Sequence, residues 1–186
     1  KVDTILKRTG TGTITLGQNG DTIALGSGAS QTGFGGTMTP SFHAYISSNQ
    51  AVSNASKTKA QFDTESFDTD NAYDNSTNYR FTPQTSGKYF FYTQVRLDSG
   101  SNNNNIDYVI VDLQKNGSDV SSAMLDFRSD RDGRKFTVNC SMILDMNGSS
   151  DYVEVSGTIS ASYTADLKFS GGSTQSYFGG YKLITW

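Results

Sequence analysis

An all-β sandwich is the fold class this sequence predicts, and three observations predict it. Apolar residues recur at every second position over most of residues 40–186. Turn dipeptides separate those runs, and no stretch carries the period of an amphipathic helix.

Along the chain, the first candidate strands are Thr13-Ile14-Thr15-Leu16-Gly17 and its echo nine residues on, Thr22-Ile23-Ala24-Leu25-Gly26. Each has two alternating apolar residues bounded by glycine, and a pair this short needs neighbours to be stable. Composition shifts near Gly36, so residues 1–36 read as a Gly/Thr-rich, β-rich stalk or linker and 37–186 as the head. Within the head, Tyr89, Phe91, Val95 and Leu97 share one strand face. Phe90 and Tyr92 make the opposite face apolar as well, and Ile106–Val111, with Tyr108 and Ile110, behaves alike. Strands apolar on both faces are covered on both sides, so Phe90, Tyr92, Tyr108 and Ile110 are expected at a subunit contact. Phe136, Val138, Cys140, Met142 and Leu144 alternate with Lys135, Thr137, Asn139 and Ser141, which is a strand with one core face. Val153, Val155 and Ile159 repeat the pattern. The breaks fall at Asp98-Ser99-Gly100, Asn116-Gly117, Asp132-Gly133, Asn147-Gly148 and Gly171-Gly172.

Composition bounds the chemistry. The 186 residues include 19 Gly, 2 Pro, 10 Tyr and 11 Phe, so aromatic side chains must supply much of the core. Net charge is −3 with no dense Lys/Arg cluster, which excludes a phosphate-binding face for nucleic acid. A single cysteine, Cys140, rules out an intrachain disulfide and falls on an apolar face, where thiols are inert. His43 is the only histidine, so a Cys/His zinc site is excluded, and nothing around it is prepared for a Ser-His-Asp triad. No run of about 18 apolar residues offers a membrane span. The chain starts at Lys1, not Met, which reads as a piece of a longer protein.

The order Phe62, Asp68, Tyr73, Phe81, Gly87, Tyr89, Phe91, with the run Gly87-Lys88-Tyr89-Phe90-Phe91, resembles the signature of the complement C1q globular-head family. Phe42-His43-Ala44-Tyr45 resembles that family's opening strand. Phe178-Gly179-Gly180-Tyr181-Lys182-Leu183 resembles its closing strand, with Phe178, Gly180 and Leu183 as fold positions. This chain departs by one extra residue between Tyr73 and Phe81 and by Thr93 where the pattern ends on an aromatic. The resemblance implies a ten-strand jelly roll of the C1q/TNF-like type, homotrimeric through aromatic faces, binding by loops and apical surfaces without catalysis or cofactor. The 1–36 segment is similar to stretches of phage tail-fibre proteins.

Two loops are the candidate ligand sites. Asp98 and Asn102, Asn103, Asn104 and Asn105 offer a carboxylate and amides to a sugar. Arg128, Asp130, Arg131, Asp132 and Arg134 pack charges of both signs into seven residues. Asp130 and Asp132 have oxygen ligands for calcium but lack the rest of an EF-hand loop, and the arginines compete for them. Asp63, Glu65, Asp68, Asp70 and Asp74 form an acidic run that reads as a wet edge instead of a glycosidase pair. Gly33-Phe34-Gly35-Gly36 lacks the Lys-Ser/Thr of a phosphate loop. The expectation is a trimeric virion head binding a host-surface glycan, with a secreted recognition protein of a cellular organism as the alternative.

Overall fold

A computed structural model describes residues 38–100, 105–128, 133–162 and 166–184, together with Ser27. The predicted strands at 13–17 and 22–26 lie outside the described residues. All described residues except Ser27 belong to the unit Gly36–Trp186.

That unit is a sandwich of two antiparallel sheets, built from thirteen strand segments. In order they are β1 (Ser41–Tyr45), β2 (Gln50–Ala51), β3 (Thr58–Lys59), β4 (Thr64–Asp68), β5 (Tyr73–Asp74), β6 (Arg80–Phe81) and β7 (Gly87–Asp98). The rest are β8 (Ile106–Lys115), β9 (Ser118–Asp126), β10 (Lys135–Met146), β11 (Val153–Ala161), β12 (Lys168–Phe169) and β13 (Tyr177–Lys182). The ten strands implied by the resemblance appear as more segments because β2, β3, β5, β6 and β12 are only two residues long. Side chains interrupt pairing there. Asp74, for example, turns back to accept hydrogen bonds from the backbone N–H groups of Ser76, Thr77 and Asn78 at 3.0, 2.9 and 3.1 Å.

The front sheet runs β10-β7-β13-β1-β4, with β12 and β2 continuing it beside the end of β7. Its spine is the β7–β10 ladder, in unbroken register from Gly87↔Met146 to Asp98↔Lys135. Strand β1 lies clamped between β13 and β4, hydrogen-bonded on both edges. The back sheet runs β5-β6-β11-β8-β9, with β3 on the remaining length of β11.

The alternation read from sequence is realised in this sandwich. Tyr89, Phe91, Val95 and Leu97 point inward from β7 and are fully buried, as are Val153, Val155 and Ile159 of β11. On β10, an edge strand paired only with β7, Val138 and Cys140 are buried but Met142 is 39% exposed. The Cys140 thiol donates to the Val111 carbonyl at 3.0 Å, and burial pushes its pKa up.

The family-like residues make the core. Phe42 stacks on Phe81 at 4.4 Å and Tyr73 at 4.9 Å, and meets Phe178 edge-on at 4.8 Å. Phe62, Phe81, Tyr89, Phe91 and Phe178 are all fully buried. Truncating any one to alanine is expected to cost about 3–5 kcal/mol. Asp68 accepts the Tyr73 N–H at 2.8 Å, and the Tyr73 hydroxyl donates to the Phe62 carbonyl at 3.1 Å. Gly87 opens β7 at φ +146°, which explains why glycine stands there. Gly180 lies buried against Phe91, and the Leu183 N–H donates to the Lys88 carbonyl at 2.8 Å, closing the last strand onto the spine. No helix is present among the described residues, and so none long and apolar enough to cross a membrane.

Candidate functional site

The described ends of the two candidate loops stand side by side at one pole of the sandwich. The Ser99 N–H donates to the Arg134 carbonyl at 2.9 Å, and the N–H groups of Asn105 and Ile106 reach the Gly133 carbonyl at 3.2 and 3.3 Å. This follows from the β7–β10 ladder, which brings Asp98 opposite Lys135. Asn102, Asn103 and Asn104, and Asp130, Arg131 and Asp132, lie outside the described residues.

The described members of these loops are mostly structural. Asp98 is 3% exposed, bridges to Lys135 at 2.8 Å and accepts the Gly100 N–H at 2.8 Å. Burial, the largest influence, pushes its carboxyl pKa up. The hydrogen bonds from Lys135 and Gly100 and the attraction of Lys135 and Lys168 outweigh it, so the net shift is downward. Asn105 is 5% exposed, and its carbonyl takes the Ser162 N–H at 3.0 Å. Arg128 is tied to Asp126, its Nε lying 2.9 Å from Oδ1, and its hydrogen bonds hold that carboxyl down at about 2. The same guanidinium sits 5.6 Å from the centre of the Tyr108 ring. Among the described residues, no group of three or more His, Cys, Asp or Glu side chains converges to hold a metal ion.

Of the four residues expected at a subunit contact, Phe90 and Tyr92 lie on the outer face of the front sheet. Tyr108 and Ile110 lie on the outer face of the back sheet, across the sandwich, so the structure does not bring the four together. The front face extends well beyond Phe90 and Tyr92. Phe90 packs on Tyr92 at 6.1 Å and on Tyr181 at 5.6 Å, and Tyr92 meets Tyr177 at 6.3 Å. His43 is 5.5 Å from Tyr177 and 6.3 Å from both Tyr92 and Phe67. Phe67 is 49% exposed, and Ile143, which pairs with Phe90 in register, is 53% exposed. A side chain at Gly179 would collide with the Tyr92 phenol, so that glycine lets the ring lie flat across β13.

His43 sits amid this face. Its Nδ1 is 3.1 Å from Ser66 Oγ, and burial lowers its pKa. Sequence reasoning missed His43, Phe67, Tyr177 and Tyr181 as members. The signal was present for three of them: the period of two that buries Phe42, Ala44 and Phe178 necessarily turns His43, Tyr177 and Tyr181 outward. Phe67 became a neighbour only through the β1–β4 register, His43↔Phe67.

Charged pairs line the outer side of the back sheet. Lys57 bridges Asp112 at 3.0 Å and Asp119 at 2.7 Å, and Lys59 bridges Glu154 at 2.6 Å. Asp112 is only 2% exposed, so its carboxylate depends on Lys57. Arg80 stacks 4.2 Å over the Tyr152 ring.

Comparison with known proteins agrees with this architecture. The C1q domain matches residues 41–182. Two solved structures of murine APRIL, at pH 8.5 and pH 5.0, superpose with TM-scores of 0.53 and 0.51 at 12% and 13% identity. Each covers 77% of this chain, and 98% and 99% of the respective APRIL chain is matched. The Eiger TNF of S. frugiperda superposes with a TM-score of 0.52 at 14% identity, over 78% of this chain and 93% of its own. At such identities the likeness shows the fold. No curated protein sequence matches the chain significantly.

Proposed function

Because this chain belongs to the C1q domain family, we propose that its head is a non-enzymatic, homotrimeric recognition module, borne at the tip of a phage tail fibre or similar virion appendage and directed at a host-surface glycan. The observation that carries the assembly is the aromatic outer face of the front sheet. An exposed contiguous apolar patch marks an interaction surface, and this one is made of rings already packed on one another.

A second apolar surface complements it. At the side where the edge strands β9 and β10 meet, Met124, Leu125 and Met142 are 46%, 38% and 39% exposed. Two different surfaces on one protomer favour a head-to-tail contact, edge of one copy against face of the next, and such contacts close into rings. A ring of three presents three copies of the Asp98–Asn105 and Arg128–Arg134 loops. Three weak sites engaged together gain about 10²–10⁴ in apparent affinity, which a repetitive surface glycan rewards. The virion assignment rests on the tail-fibre-like 1–36 segment. The alternative, a secreted recognition protein of a cellular organism, would use the same head, because the family match does not reach that segment.

Light scattering after size exclusion tests the assembly: a mass near three times 20.1 kDa is expected, and a stable monomer overturns it. Competition tests the role. Purified head is expected to block adsorption of the virus to its host, and unhindered adsorption at saturating head would reject the virion reading.

A further inference from the structure

A pocket of about 360 Å³ opens where the chain leaves β1, and it shares no residue with the aromatic face or the two loops. Ile46, Asn49, Gln50, Gln61, Asp63 and Tyr79 line it. Its size falls in the roughly 300–1,000 Å³ range of small-molecule sites. We infer that this pocket is a monosaccharide subsite, taking one neutral hexose or N-acetylhexosamine unit of a glycan. The inference deepens the recognition reading, from which it takes its ligand class, and adds a site separate from the loops.

The lining selects that chemistry. Three carboxamides and a carboxylate supply donors and acceptors, and no lysine, arginine or histidine lines the pocket. A phosphate or carboxylate ligand would therefore meet Asp63 without a compensating cation. An apolar ligand would strip water from the amides and leave them unsatisfied. A neutral sugar has hydroxyl groups for the amides and a C–H face for the Tyr79 ring.

The polar lining is held in place by bonds from behind. The Ser47 N–H and hydroxyl donate to the two Asp63 carboxylate oxygens at 2.8 and 2.6 Å. Gln50 is fixed at both ends, its Nε2 donating to the Lys59 carbonyl at 2.8 Å and its Oε1 accepting the Gln61 N–H at 2.9 Å. Asn49 Oδ1 takes the Gly171 N–H at 3.0 Å, which turns its amide nitrogen to other partners. Little ordering cost remains to be met for Asp63, Gln50 and Asn49 on binding. Tyr79 holds φ +50°, a conformation disfavoured for a bulky residue, and such residues cluster at ligand sites. The Gln61 side-chain amide has no hydrogen-bond partner among the described residues, which leaves it for ligand.

The test is saturation-transfer NMR of the whole protein with free glucose, galactose and N-acetylglucosamine, run on wild type, on Gln61→Ala, and on a variant with residues 101–104 replaced by glycine and serine. Gln61 bears no structural side-chain bond, so its variant is expected to fold, as circular dichroism will verify. Saturation transfer to at least one sugar is expected, weakened about tenfold in affinity by Gln61→Ala for the loss of one hydrogen bond and unchanged in the loop variant. Transfer insensitive to Gln61→Ala but abolished in the loop variant would overturn the pocket while leaving the loop-based reading standing. No transfer to any of the three sugars would overturn the subsite, while the oligomer mass would still report on the proposed assembly separately.

Discussion

The two outer faces of this sandwich differ in how they are finished. On the back sheet, the outward carboxylates are neutralised in place, beside the outward-facing Tyr108 and Ile110. Lys57 caps Asp112 and Asp119, Lys59 caps Glu154, and Arg80 lies over Tyr152. On the front sheet, the outward positions carry Phe90, Tyr92, Tyr177, Tyr181, His43 and Phe67, rings packed on one another in stacked, tilted and edge-on arrangements, with the Lys88–Asp145 pair beside them. Both sheets share one core and one alternation, so burial of the inner face cannot account for the contrast. A face completed by its own ion pairs is a surface for water. A face of neighbouring rings is the kind of surface another molecule can complete, which is why the proposed assembly is built on the front sheet.

Four measurements break or sharpen that contrast. The largest effect is expected for Tyr92→Asp, which places a carboxylate amid the rings. It should reduce the proposed trimer to monomer in light scattering, at a cost of at least about 2 kcal/mol of association energy as for interface hot spots. Arg80→Ala, at the edge of the back sheet away from β9, should leave the mass unchanged, and equal dissociation by both variants would erase the distinction.

Next is Lys57→Met. It leaves the 2%-exposed Asp112 without its cation. Loss of a partner to a buried polar group costs about 1–3 kcal/mol, so the melting temperature should drop by several degrees at constant oligomer mass.

A smaller effect is pH-dependent. The folded pKa of His43 lies below its ordinary value near 6.5 because burial disfavours the cation. The unfolded chain therefore takes up its proton first. The His43 contribution is fully present above about pH 6.5 and is lost as pH falls through the folded pKa. The side chains around the ring are Ser66, Phe67, Tyr92 and Tyr177, none cationic. Melting curves from pH 7.5 down to 5.5 should decline more steeply for wild type than for His43→Gln, and parallel curves would remove the histidine from the account. Smallest is Lys88→Ala, whose 2.8 Å bridge to Asp145 is 54% and 76% exposed. Such a pair is worth about 0–1 kcal/mol, so melting should barely move.

Much of the fold was legible in the sequence because one periodicity wrote it. Phe42, Tyr89, Phe91, Val155 and Phe178 are buried where alternation puts core residues. The candidate site was less legible, for two physical reasons. Alternation tells which residues share a face of one strand but not which sheet the strand joins. Phe90 and Tyr108 thus read alike, although they end on opposite sides of the sandwich. Polar loop residues read as presented to solvent, yet Asp98 and Asn105 are drawn inside by Lys135 and by the backbone of Gly133 and Ser162. The pocket was invisible for a third reason. Residues 46–63 and Tyr79 sit among two-residue strands and turns, where no period exists to be read.

Strand β1 also has a mechanical consequence. The chain enters it at Ser41 and leaves it at Tyr45, beside the pocket lined by Ile46, while β13 and β4 grip it along both edges. A load applied between the chain's entry point and a ligand held in that pocket would run along the axis of β1. Its backbone hydrogen bonds would then be sheared together instead of peeled one after another, so the head should hold against a pull in that direction better than against one directed across the sheet.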